Sequence, residues 1–155
     1  YYQVDGQRIG PSYVMSGGNF QISTGASMEQ AAVVVHNPDD NEYLVVWHRD
    51  AGAQGEDIYA QRLSTTGIAQ GANFKVSTVT GDNDQMFPTA IYFNALHRYG
   101  VIWADNRDPV TQWDLRGQWL SNTGVVLGPF DMPTFRGAGV QSNPAIAYAP
   151  GYNLL

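Results

Sequence analysis

An all-β architecture of repeated four-stranded units is predicted for this 155-residue chain. Three observations carry the prediction. Matching segments return in the same order at a spacing near 56 residues, as from Trp47 to Trp103. The apolar runs are short, rich in Val, Ile, Tyr and Trp, and bounded by Gly, Asn, Asp and Pro. No stretch shows a convincing helical apolar period.

The repeat is read directly from paired segments. Glu42-Tyr-Leu-Val-Val-Trp47 returns as Arg98-Tyr-Gly-Val-Ile-Trp103. Asp57-Ile-Tyr-Ala-Gln-Arg-Leu-Ser-Thr-Thr-Gly67 returns as Asp114-Leu-Arg-Gly-Gln-Trp-Leu-Ser-Asn-Thr-Gly124, and Val4–Ile9 is an earlier trace of it. Asn19–Thr24 matches Asn73–Thr78, and Gln85–Tyr92 matches Gln141–Tyr148.

In chain order, Val4–Ile9 and Phe20–Thr24 read as strands C and D of one unit. Val33–Asn37, Tyr43–Trp47, Ile58–Ser64 and Phe74–Thr78 read as A, B, C and D of the next. Thr89–Asn94, Tyr99–Trp103, Leu115–Ser121 and Phe130–Thr134 repeat the set. Ala145–Ala149 is a further strand A, and Tyr152–Leu155 begins a strand B. Strands A and B are apolar at nearly every position, which predicts cover on both faces. Strand C alternates, so each unit has a dry inner half and a wetter outer half. Such units stacked face to face form a β-propeller.

Composition narrows the function. Net charge is −6 and the eight basic residues are scattered, which argues against nucleic acid as a partner. No apolar run approaches the length of a membrane span. There is no cysteine, hence no disulfide framework and no thiolate metal site. The chain opens on Tyr1 without an initiator Met or signal peptide, which suggests a processed product or a piece of a longer protein.

The run Tyr-Leu-Val-Val-Trp, Asp-Ile-Tyr-x-Gln-Arg-Leu-Ser-x-x-Gly, Phe-x-Val-Ser resembles a repeat of large secreted or surface bacterial β-propeller proteins. The resemblance covers nearly the whole chain and implies an extracellular or cell-surface location.

The expected fold is therefore an all-β propeller segment of about three four-stranded antiparallel blades, with one blade split between the chain ends. Residues 1–24 supply its strands C and D, 25–79 and 80–135 form two blades, and 136–155 supply its strands A and B. Three blades do not close comfortably, since propellers have four to eight. Open strand edges pair, so a homo-oligomer completed through the split blade is expected, unless a longer chain completes the ring.

The repeated residues read as structure: Trp47 and Trp103 as core, Gln7, Gln61 and Gln118 bonded to backbone, Gly67 and Gly124 in turns that need positive φ. Function is sought on the rim formed by the B–C and D–A loops. It carries Asp50, Glu56, Asp82, Asp84, Asp105 and Asp108, with Arg49 and Arg107. Asp50, Asp84, Asp105, Arg107 and Trp113 are the candidate ligand-binding residues; an indole is a flat platform with one N–H donor. Asp82-Asn-Asp84 is compatible with Ca²⁺, which takes clustered oxygens, but lacks a full loop motif. No His pair has metal-ligand spacing and no nucleophile motif occurs. A non-enzymatic secreted or surface scaffold, taking a glycan or protein ligand, is the expected role. The alternative is part of a carbohydrate-binding or glycoside-hydrolase-type propeller, whose chemistry needs two carboxylates about 5–10 Å apart.

Overall fold

The computed structural model describes residues 2–50, 52–78, 81–110, 112–129 and 139–148. Its ten strands are β1 (Asp5–Ile9), β2 (Met15–Gln21), β3 (Glu29–Asn37), β4 (Glu42–Asp50), β5 (Glu56–Ser64), β6 (Phe74–Lys75), β7 (Gln85–Phe93), β8 (Arg98–Asp108), β9 (Gln112–Ser121) and β10 (Val126–Pro129). They form three antiparallel sheets: sheet I with order β1-β2, sheet II with order β3-β4-β5-β6, and sheet III with order β10-β9-β8-β7. The architecture is all-β and propeller-like. Among the described residues, no helix is long and apolar enough to cross a membrane.

The sheets stack through two cores. Period-two alternation sends the residues of β4 to opposite sides. Leu44 and Val46 join Ile58, Tyr99, Val101 and Trp103 between sheets II and III. Val45 and Trp47 join Val4, Ile22 and Leu63 between sheets I and II. Both tryptophans are thus inter-sheet core, as their recurrence predicts.

The strands differ from the sequence reading in instructive ways. Strands A and B are longer than expected because β3 and β7 pass through bulges, between Gln30 and Val33 and between Met86 and Thr89, and then resume pairing. β6 is only two residues, since the ladder ends where Ser77 turns its hydroxyl to accept the Ile58 N–H at 3.1 Å. Ser23 does the same for the Val4 N–H at 3.0 Å, so the recurrent Ser of the Phe-x-Ile/Val-Ser motif ties the end of strand D to the start of strand C. In sheet I the outer strand lies earlier than expected, at β2. The expected strands Phe130–Thr134 and Tyr152–Leu155 lie outside the described residues, and β10 takes the outer place in sheet III. Residues 145–148 are not in a strand.

In sheet II, strand A (β3) is not covered on both faces as expected. Val33 and Val35 of β3 pack on the sheet II–III core, while Val34 between them is exposed. Burial on both faces needs an inner strand on each side, and among the described residues sheet I has none. Gln7 and Gln61 donate to backbone carbonyls as predicted, Gln61 to those of Arg62 and Gly71 at 2.8 and 3.1 Å, whereas the buried Nε2 of Gln118 makes no such bond among the described residues.

Candidate functional site

The loops joining β4 to β5 and leading into β7 meet at one end of sheets II and III. Gly55, at φ +78°, lets them approach so closely that a Cβ there would stand 2.7 Å from the Asn83 carbonyl oxygen. Between them lies a cluster of His48, Asp50, Glu56, Asp84 and Asn106.

Asp50 and Glu56 are the last register partners of the β4–β5 ladder, so their side chains leave the same face. Asp50 Oδ1 accepts the Gly52 N–H at 2.7 Å, an Asx turn that fixes the loop. Asp84 is held from two directions. Its Oδ1 accepts the Glu56 N–H at 3.2 Å, and its Oδ2 accepts from Asn106 Nδ2 at 3.1 Å. Asn106 Oδ1 in turn accepts the Asp84 N–H at 2.7 Å.

His48 lies beneath and is fully buried. Its Nδ1 accepts the Phe87 N–H at 3.3 Å, so in the neutral ring the proton sits on Nε2. Burial lowers its pKa and keeps it neutral. His48 Nε2 stands 3.1 Å from Glu56 Oε2, within ion-pair distance but too bent for a hydrogen bond. We take the pair as a close, unaligned contact of a neutral imidazole. The Glu56 carboxyl is pushed above its ordinary value, first by burial and then by the carboxylates of Asp84 and Asp50.

The cluster contains two of the five sequence candidates, Asp50 and Asp84. Asp105 and Arg107 form a separate, closed pair. Asp105 is fully buried, accepts the Trp103 Nε1–H at 3.1 Å and is gripped by Arg107, whose Nε donates at 2.6 Å. Its acceptors face inward, so it braces the end of β8. Trp113 is half-buried at the start of β9, and its carbonyl accepts the Gln141 N–H at 3.0 Å. Glu56 lies on the acidic rim of the sequence reading but is not among its five candidates, and His48 is absent from both. The usable signal was lack of repetition, since position 48 is His in one repeat and Ala104 in the next. Among the described residues, no group of three or more His, Asp or Glu side chains is arranged to hold a metal.

In three dimensions the chain is similar to an endo-arabinase from Bacteroides thetaiotaomicron VPI-5482. The TM-score is 0.51 at 16% identity, covering 79% of this chain and 50% of that one. The chain thus spans about half the length of that enzyme. At such identity the likeness establishes the fold. No protein-family model and no curated protein sequence matches the chain.

The match corrects the expectation of a non-enzymatic scaffold. The matching fold is that of a carbohydrate-active enzyme. At the rim, half-buried Glu56 has its carboxyl pushed up by burial and by the neighbouring carboxylates of Asp84 and Asp50.

Proposed function

We propose that this chain is part of a carbohydrate-active β-propeller of the glycoside-hydrolase type, three blades in extent with the first one incomplete, acting on polysaccharide outside the cell. The observation that carries the reading is the raised pKa of Glu56 beside Asp50 and Asp84. Glycoside cleavage needs one carboxyl that stays protonated near neutral pH and a second that stays ionised.

In this reading Glu56 donates its proton to the departing glycosidic oxygen. Asp50, its register partner, supplies the second carboxylate on the far side of the scissile bond; cross-strand neighbours can reach the roughly 5–10 Å separation required. Asp84 and Asn106 are positioning residues that fix the Glu56 backbone. Trp113, at the same end of sheet III, offers its ring as a sugar platform.

The test is reducing-sugar release from a panel of polysaccharides that includes an arabinose polymer. Glu56→Gln keeps the shape but holds no transferable proton, so kcat is expected to fall about 10²–10⁴-fold with little change in KM. Full activity in Glu56→Gln, or no hydrolysis of any polymer by the unaltered protein, sinks the proposal.

A further inference from the structure

Three side chains at the rim depart from the repeat, and they form a chain of contacts. His48 and Glu56 stand where the next repeat has Ala104 and Trp113, and Phe87 stands between Ala31 of the repeat before and Asn143 of the repeat after. The Phe87 N–H donates to His48 Nδ1 at 3.3 Å, and the two rings meet edge to face with centroids 5.6 Å apart. His48 Nε2 lies 3.1 Å from Glu56 Oε2. One imidazole, only 2% exposed, therefore touches both Glu56 and Phe87. Neither that Nε2 nor that Oε2 has a hydrogen-bond partner among the described residues. Buried polar atoms without partners weaken a fold, so stability does not account for this arrangement.

Neither backbone preference nor burial accounts for a phenylalanine at position 87. β3 and β7 bulge at the same place, and Ala31, Phe87 and Asn143 have φ of 53°, 55° and 52°. The left-handed conformation thus belongs to the repeat. Asparagine tolerates it well and a bulky aromatic poorly. Pro88 follows and restricts the backbone before it further. Phe87 is nonetheless 37% exposed, so packing within the chain uses only part of its ring. Residues held on strained backbone gather at ligand contacts. Charge then narrows the ligand. The two arginines of this rim are committed, Arg49 to Glu29 at 2.7 Å and to the face of Tyr59 at 4.0 Å, and Arg107 to Asp105. Asp50 and Asp84 are held by backbone and amide N–H groups, which leave their negative charge in place. An anionic sugar meets repulsion here, and an uncharged one does not.

We propose that Phe87 is a specificity-determining residue whose exposed ring takes the C–H face of an uncharged sugar unit beside Glu56, and that the site discriminates against uronic-acid polymers. The inference rests on the glycoside-cleaving reading of this rim. Phe87 suits the role because its ring touches the same imidazole as Glu56, which puts a flat apolar surface next to the proposed proton donor.

Calorimetric binding tests it, in a Glu56→Gln background so that sugar is not consumed. The probes are arabinotetraose, xylotetraose, cellotetraose and tetragalacturonate. Phe87→Asn installs the residue of the following repeat. Its thermal midpoint should equal or exceed that of the background protein, while affinity for the best neutral probe falls about 3- to 10-fold, the size of one aromatic face contact. Phe87→Tyr should bind as the background does. Tetragalacturonate should bind at least about 10-fold more weakly than the best neutral probe. Phe87→Asn with unchanged affinity overturns the proposal, as does tetragalacturonate binding as tightly as the neutral probes, or no neutral probe binding at all. Should Phe87→Asn lose stability as well, Phe87→Leu decides, since it keeps an apolar side chain without an aromatic face; undiminished affinity there overturns the proposal. Polysaccharide cleavage by the unaltered protein together with binding indifferent to position 87 sinks this inference and leaves the glycosidase reading standing. Binding that depends on position 87 without any cleavage does the reverse.

Discussion

At the scale of single residues, His48 is the side chain whose chemistry depends most on its surroundings. It is buried, neutral and committed through Nδ1 to the Phe87 N–H. Its folded pKa lies below the ordinary value of 6.5, so the unfolded chain binds a proton first as pH falls. The stability this group allows is fully present above the unfolded value and declines as pH drops through it. Urea midpoints measured from neutral to mildly acidic pH should therefore fall, and His48→Gln should flatten that slope. Glu56 acts in the opposite sense. Its raised pKa means that the folded state keeps a proton that the unfolded state has released, so its contribution declines as pH rises above the ordinary glutamate range. Catalysis by a protonated Glu56 should likewise fade on the alkaline side, and the alkaline limb of kcat should report its pKa.

At the scale of elements, the repeat places one device between consecutive sheets. The turn after β5 contains Gly67 at φ +83°, and the turn after β9 contains Gly124 at φ +84°. Positive φ already favours glycine at both. The structure adds a steric reason. A Cβ on Gly67 would meet the Phe20 ring at 2.7 Å, and one on Gly124 would meet the Phe74 ring at 3.0 Å. Each turn is thus seated over an aromatic ring from the outer strand of the preceding sheet. Gly124→Ala should cost about 1–2 kcal/mol by chemical denaturation, combining backbone strain with ring displacement. Adding Phe74→Leu should recover part of that loss, because the neighbouring ring is then smaller; strict additivity of the two would show that only φ matters. The glycines were legible in the sequence as turn residues. Their second role was not, since Phe74 and Gly124 belong to different repeats.

At the scale of the whole molecule, stability rests on two inter-sheet cores rather than on single sheets. The core between sheets II and III draws on β3, β4, β5, β7, β8 and β9, with Trp103 inside it. Trp103→Ala removes a buried indole and leaves the Asp105–Arg107 pair without its Nε1–H partner. A loss of about 3–5 kcal/mol is expected in equilibrium unfolding, typical of a large aromatic truncation. The opposite rim adds polar links between the same two sheets. Arg62 donates to the Thr123 carbonyl at 3.0 Å, and Asp39 accepts from the Tyr92 hydroxyl and contacts His97 Nδ1 at 2.6 Å. These contacts hold His97, an exposed residue, at its turn.

The sequence by itself determined the repeat, the strand type and order, the turn glycines, the backbone bonding of Gln7 and Gln61 and the burial of Trp47 and Trp103. All of these follow from short-range rules: side-chain alternation along a strand, turn chemistry, and recurrence of a fixed pattern. Only the tertiary structure decided which rim carboxylates share a site. Asp50, Glu56 and Asp84 come from two loops that meet when sheets II and III stack, while Asp105, equally acidic on paper, turns inward to Trp103 and Arg107. Tertiary structure also showed that Val34 and Tyr43 face open space where their repeat partners Ala90 and Tyr99 are packed. Burial of a strand face depends on what stands opposite it, and that neighbour is not encoded in the strand's own residues.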